Sequence, residues 1–287
     1  MDQEEKLLLN SVARLVAGPA HDVELYLDER GTPGTDRRFI TAGVLVHGTA
    51  RDVATAWTQY WNDRRLGGKK GRDLTRDQLI NVAEFLITQP VLPVAVFSLL
   101  DPEELDQLRA FAVKFKASKS PLKKFKKMSP ASWLWKCQMN QALIHATASF
   151  LAFRGRIGRG VVYHDEMHEE PEKREHFRRA VVERTHSRHV QTILHQHAPA
   201  PVAKMLARSL PGEWRIEMSS KGALARLADV ICAMFGRFLE DEWREPWEVL
   251  RLTHRRDSRE PPCLGREVTD AVRAWLAKLY ESSDPDR

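Results

Sequence analysis

Asp28, Asp165 and Asp229 are the residues whose type and setting point to chemistry. A divalent cation of the magnesium class takes hard oxygen ligands. Two such ions roughly 3.5–4 Å apart can clamp the attacking and leaving oxygens of a phosphodiester. That arrangement needs carboxylates that converge from separate elements. Asp28 closes the stretch Val23-Glu24-Leu25-Tyr26-Leu27-Asp28-Glu29-Arg30-Gly31. Its period-two alternation predicts a strand with Asp28 projecting from one face, near a glycine turn. The pattern recurs in Val161-Val162-Tyr163-His164-Asp165-Glu166, where Val161, Tyr163 and Asp165 share a face. Asp229 falls in a helix predicted from Ala223 to Leu239, beside the apolar stripe Leu224, Leu227, Ala228, Ile231, Phe235 and Leu239. Ala225, Cys232 and Gly236 lie on its line, and such small neighbours allow close packing against a sheet. Singly, Asp28 also fits a turn cap and Asp229 the edge of a stripe. Together the three make a candidate metal-holding and catalytic set, with Glu29 and Glu166 as supplementary ligands and Mg2+ or Mn2+ as the cofactor.

A second feature concerns charge. From Gln107 to His164 there is no acidic residue, while Arg109, Lys114, Lys116, Lys119, Lys123, Lys124, Lys126, Lys127, Lys136, Arg154, Arg156 and Arg159 accumulate. The segment from Lys119 to Pro130 holds a proline near each end and reads as a loop between helices. Phe125 sits among Lys123, Lys124, Lys126 and Lys127. Such a segment can track phosphates and stack a base, or it can be a solvated loop whose Phe tucks inward. With Arg154 and Arg156, these are the candidate nucleic-acid contacts. His186, His189, His195 and His197 lack an acid or cysteine at ligand spacing and read as surface histidines.

The elements that must position these residues follow from periodicity. A lead-in helix is predicted over residues 4–17, and a second strand from Phe39 to Val46 pairs with the first as a hairpin. Trp57 and Trp61 mark one helix and Leu79, Val82 and Leu86 another, entered near Thr75. Between them Gly67-Gly68-Lys69-Lys70-Gly71 reads as a flexible basic loop. Val91 to Leu100 suits a strand covered on both faces. Asp101-Pro102-Glu103-Glu104 is a helix start, which removes Asp101 from the site. A helix from about Glu172 to Thr185 and a strand from Glu213 to Met218 follow.

Composition sets bounds. The 287 residues, 43% hydrophobic and 29% charged, suffice for one substantial core. The net charge of +6 suits a polyanionic partner. Cys137, Cys232 and Cys263 are too dispersed for a disulfide scaffold or a thiolate zinc site. The acidic start and the short Leu7-Leu8-Leu9 run predict no signal peptide, hence a cytoplasmic protein. Ala131 to Phe153 is interrupted by Lys136, Gln138, Asn140, Gln141 and His145, so it predicts a buried bundle helix and not a membrane span.

In chain order, the Tyr26-Leu27-Asp28-Glu29-Arg30-Gly31 strand, Phe39-Ile40-Thr41-Ala42-Gly43-Val44, Val162-Tyr163-His164-Asp165-Glu166 and Leu227-Ala228-Asp229-Val230 resemble the bacterial family called domain of unknown function 3800. The resemblance runs from about Val23 to Leu239. It implies a ribonuclease H-like fold, with acids on the first strand, a later strand and a terminal helix, here Asp28, Asp165 and Asp229. It also implies a place in bacterial defence or mobile-element systems. The chain departs from the family at Arg30, where Ser is usual, and at Arg226, where Gln is usual. The expected fold class is therefore α/β, a ribonuclease H-like mixed sheet flanked by helices. Its parts would be an N-terminal helix (1–22), a core (23–240) with a basic helical insertion at about 104–153, and a C-terminal helical tail (241–287). The expected function is metal-dependent nuclease chemistry on RNA or DNA. The alternatives are a non-catalytic nucleic-acid-binding or scaffold protein, with a partner chain on the helical insertion, and a zinc hydrolase built on His164, Asp165 and His168.

Overall fold

A computed structural model describes residues 17–32, 36–117, 130–164, 214–218, 222–255, 261 and 263–281, with isolated positions before 17 and between 200 and 204. Its centre is a six-stranded mixed sheet, ordered β5-β4-β1-β2-β3-β6. β1 (Ala20–Arg30), β2 (Arg38–Val46) and β3 (Val91–Leu99) form an antiparallel meander. On its other side β1 pairs in parallel with β4 (Arg156–His164), which pairs in parallel with β5 (Trp214–Met218). Parallel neighbours need long crossovers, and between β1 and β4 that crossover carries most of the helical layers. Only β1 and β2 are joined by a short turn, whereas the chain between β2 and β3 carries two helices.

Alternation along β1 divides the molecule in two. Val23, Leu25 and Leu27 enter one core with Leu105 and Leu108 of α3 (Pro102–Ala117), Trp135, Met139 and Leu143 of α4 (Pro130–Phe153), and Val272 of α7 (Thr269–Glu281). Tyr26 faces the opposite core. There Ile40, Ala42 and Val44 of β2 meet Trp57 of α1 (Ala50–Asp63), Leu79 of α2 (Arg76–Ile87), Leu227 and Ile231 of α5 (Ala223–Leu239) and Trp247 of α6 (Glu245–Thr253). β3 is buried on both faces for most of its length. At the start of α3, Asp101 Oδ1 accepts the Glu104 N–H and Glu104 Oε2 accepts the Asp101 N–H, each at 2.9 Å, a reciprocal cap as the sequence predicts.

α4 packs directly on β2, β3 and β4 and supplies one whole layer of the core. Its buried Gln138 explains how a polar residue sits there. The side-chain amide donates to Phe39 O at 2.7 Å and accepts from Ser98 Oγ at 2.7 Å. The C-terminal region, expected to be helical, also contains β6 (Leu264–Glu267), which extends the sheet in parallel with β3. Four residues with an internal glycine are too short to carry an alternation signal. Among the described residues no helix is long and apolar enough to cross a membrane. The lead-in helix lies largely outside the described residues, and the helix expected over 172–185 and the histidines at 186, 189, 195 and 197 lie outside them altogether.

Candidate functional site

Asp28 lies on the same face of β1 as Tyr26, the face covered by α5. That helix runs along β1 in the same direction. Its first turn, Gly222 to Ala225, stands over Tyr26, and its last turns meet Arg30. An added Cβ on Gly236 would sit 2.4 Å from the Arg30 guanidinium, which continues to Glu240 in a two-point ion pair of 2.8 and 2.7 Å. With both ends fixed, Asp229 in mid-helix is brought opposite Asp28. Their proximity appears in the acidity of Asp28, whose carboxyl is pushed up to about 6. Burial is the main cause, and the negative charge of Asp229 adds to it. The Glu29 backbone N–H and the His164 ring act against the rise. Cys232, one turn beyond Asp229, is buried. Its thiol is held well above its usual range by that burial and then by the charges of Asp28 and Asp229.

Each carboxylate is anchored through one oxygen. Asp28 Oδ1 accepts the Glu29 N–H at 2.8 Å, and Asp229 Oδ2 accepts the Gly71 N–H at 2.7 Å. No donor among the described residues reaches Asp28 Oδ2 or Asp229 Oδ1. Two hard oxygens left open on a half-buried pair of acidic side chains fit a small divalent cation, which would compete with the proton for Asp28. Gly71 is the residue sequence reasoning missed. It opens a short 3-10 turn (Gly71–Asp73) that lies on α5, where a Cβ would come within 2.7 Å of Asp229 O and 2.8 Å of Val230 Cα. The Gly-Gly-Lys-Lys-Gly stretch is thus docked at its last glycine, against a partner 158 residues away. Its basic neighbours Lys70 and Arg72 are exposed beside the acid pair.

Glu29 alternates to the other face of β1. Its Oε2 lies 3.3 Å from Nε2 of His164, a fully buried ring at the end of β4. Trp135 of α4 places its indole N–H 3.3 Å from the same nitrogen and its ring edge-on to the imidazole. One nitrogen cannot accept from the indole and donate to the carboxylate together. With Nε2 protonated the ring serves Glu29, and with Nε2 bare it accepts from Trp135.

Of the expected ligands, the structure therefore brings Asp28 and Asp229 together and directs Glu29 toward His164. Asp165 and Glu166 lie outside the described residues, as do His168, Lys123, Lys124, Phe125, Lys126 and Lys127. The β1–β4 ladder is described up to the pair Leu27–His164, one residue short of Asp28 and Asp165. Among the described residues no group of three or more His, Cys, Asp or Glu is gathered tightly enough to hold a metal. Arg154 and Arg156 stand apart. Arg156 pairs with Ala20, eight residues before Asp28 on β1, which at about 3.3 Å per residue is roughly 26 Å away.

No family profile and no curated protein matches the chain. Among solved structures it is similar to a chain in the PCNA:RNase HII complex from Archaeoglobus fulgidus, at 15% identity and a TM-score of 0.31, over 91% of this chain and 89% of that one. A likeness of that size carries no argument, and the functional reading rests on the residues.

Proposed function

We propose that this chain is a divalent-metal-dependent nuclease with a ribonuclease H-like core, hydrolysing phosphodiesters of RNA or DNA. The observation that carries the reading is the convergence of Asp28 and Asp229 from strand and helix, each with one oxygen anchored and one open. The mixed sheet, with β4 directly beside β1, supports it further, because the resemblance to domain of unknown function 3800 expects acids on a first strand, a later strand and a terminal helix. Asp28, Asp229 and Asp165 would hold Mg2+ or Mn2+, with Glu166 in reserve. A bound ion of this kind supplies a lowered pKa for attacking water and neutralises charge building on the phosphoryl group.

The chain's own residues do the rest. The Glu29 and Gly71 backbone N–H groups orient the two carboxylates. The small residues along α5 let it approach β1 closely, and partial burial of the two carboxylates lowers the local dielectric, so charges there act more strongly than in open water. Lys70 and Arg72 offer positive charge to a backbone phosphate at the site's edge. Glu29, 3.3 Å from His164, lies at the strand end that carries Asp28.

Cleavage of end-labelled single-stranded, double-stranded and hybrid nucleic acids, with Mg2+ or Mn2+, tests this reading beside Asp28→Asn and Asp229→Asn. Metal-dependent cutting lost in both variants is expected. Binding without cutting, unchanged in the variants, would replace the nuclease with a non-catalytic nucleic-acid-binding protein.

A further inference from the structure

The arginines near the acid pair are spent unequally. Arg226, Val230, Ala233 and Arg237 follow one another at spacings of four, three and four residues, so they form one stripe along α5. Gly71 lies on the middle of that stripe, against Val230 and Ala233. Arg237 closes one end: it donates to Arg72 O at 2.8 Å, pairs with Glu242 at 2.7 Å and lies over the Trp243 ring at 3.9 Å. Arg30 is likewise engaged, by Glu240. At the other end of the stripe Arg226 is exposed, its guanidinium carbon 5.4 Å from the centroid of the Trp61 ring, and it pairs with no carboxylate among the described residues. Trp61 is buried near the end of α1, and its backbone carbonyl accepts the Leu66 N–H at 3.1 Å, so the ring is a fixed support. Arg226 stands three residues before Asp229. Residues so spaced on a helix have Cβ atoms about 5–6 Å apart, and an Arg and an Asp there ordinarily find each other. Here they do not: Asp229 Oδ2 accepts the Gly71 N–H at 2.7 Å, and the guanidinium rests on Trp61.

We propose that Arg226 contacts the substrate, giving its guanidinium to a non-bridging phosphate oxygen of the strand held at the acid pair. The inference rests on the proposed nuclease reading and names a substrate-binding residue for it. A cation paired with Asp229 would occupy the oxygen that a metal ion needs and would have its own charge neutralised. Held about one helical turn away on an aromatic face, Arg226 does neither. The carboxylate oxygens stay open, and a positive charge stands beside them. Resting on a ring spends none of the five guanidinium N–H donors on an acceptor oxygen, and two of them can meet a phosphate side by side. Lys70 and Arg72 flank Gly71 on the loop that packs on this stripe. Three basic side chains are thus grouped about the anchor of Asp229, which suits a repeating phosphate backbone better than a lone anion. Such contacts hold the backbone and do not read the bases, so the grip is tolerant of sequence.

The test measures binding of fluorescent single-stranded RNA and DNA oligonucleotides to the full chain as salt is varied, with Ca2+ at fixed concentration in place of Mg2+ to suppress cutting. Each phosphate contact on a single strand contributes about 0.7 to the slope of log affinity against log salt. Arg226→Gln should lower the magnitude of that slope by about 0.7 and weaken binding at low salt roughly tenfold, the loss of one charge-assisted hydrogen bond. Arg226→Lys keeps the charge, so it should restore the slope while recovering only part of the affinity, because an ammonium cannot meet a phosphate at two points. Thermal unfolding of the same variants separates contact from packing. An arginine that only covers Trp61 would lower Tm in Arg226→Gln and leave the slope as it is, which would overturn the contact. A slope that Arg226→Lys does not restore, or no binding of either oligonucleotide, would overturn it too. Cleavage in Mg2+ is then read on the same proteins. Asp28-dependent cutting with an unchanged slope in Arg226→Gln would sink the contact alone. A slope that falls in Arg226→Gln and returns in Arg226→Lys, in a protein that cuts nothing, would sink the nuclease reading and leave the phosphate contact standing.

Discussion

At the scale of single residues, Asp28 carries the sharpest expectation. Its carboxyl titrates at about 6 in the folded chain against an ordinary value near 3.8. A raised acid pKa means that the folded state holds the proton more tightly than the unfolded one. The stability this contributes is full below about pH 4 and is lost as pH rises through about 6. Asp28→Asn should therefore stabilise the metal-free protein at pH 8 by up to about 2–3 kcal/mol and change little at pH 4, as read by thermal unfolding. Addition of Mg2+ at pH 8 should raise Tm in the wild type and not in the variant. Gly71 gives a second test. Ala there would need Asp229 and Val230 backbone atoms to yield, so we expect a loss of about 1–3 kcal/mol. Calorimetric Mg2+ affinity should fall with it, because the Asp229 carboxylate loses its anchor. An equal loss of stability with unchanged Mg2+ affinity would remove Asp229 from the metal site.

Among the elements, α4 shows what a sequence conveys and what it withholds. Its length and polar interruptions already read as a buried helix and not a membrane span. That it forms a full layer on the sheet, with Gln138 reaching the β2 and β3 backbone, depends on partners about 40 and 100 residues away. Gln138→Leu should cost about 1–3 kcal/mol by leaving Ser98 without its acceptor, and Ser98→Ala in the same chain should recover part of it. Chemical denaturation of the two variants decides the point, since additive losses would mean that the pair is not coupled. The local signals that did read through are those closed within a few residues: the Asp101–Glu104 cap, the Thr75 helix start and the β1–β2 hairpin. Asp28 and Asp229 were legible by type and setting. Gly71 was not, because a Gly-Lys string has the composition of any loop and its contact is long-range. β6 was not, because its pairing to β3 supplies the order that four residues lack alone.

For the whole molecule, two charge distributions matter. Away from the acid pair, His47 and His145 are each pushed down to about 4 by burial, and His254 is lowered for the same reason. A lowered histidine pKa contributes stability that is full above about 6.5 and lost as pH falls toward 4. Three such groups outweigh the opposite trend of Asp28. The midpoint of urea unfolding should therefore decline steadily between pH 6.5 and 4, and His47→Gln should flatten that decline.

The second distribution concerns where a polyanion lies. Arg154 and Arg156 share the acid-free basic stretch with the lysine arm, yet Arg156 stands at the start of β4, beside Ala20 and far from Asp28. Lys70 and Arg72 flank the glycine that anchors Asp229. If a strand is held for reaction at Asp28 and Asp229, counterion release should report Lys70 and Arg72 and be blind to the far end. Each phosphate contact contributes about 0.7 to 0.9 to the slope of log affinity against log salt. The Lys70→Ala, Arg72→Ala double variant should lower the magnitude of that slope by roughly 1.5 and weaken binding at low salt. The Arg154→Ala, Arg156→Ala pair should leave both unchanged. A slope that falls only with the second pair would put the nucleic acid at the opposite end of the sheet, out of reach of the two carboxylates.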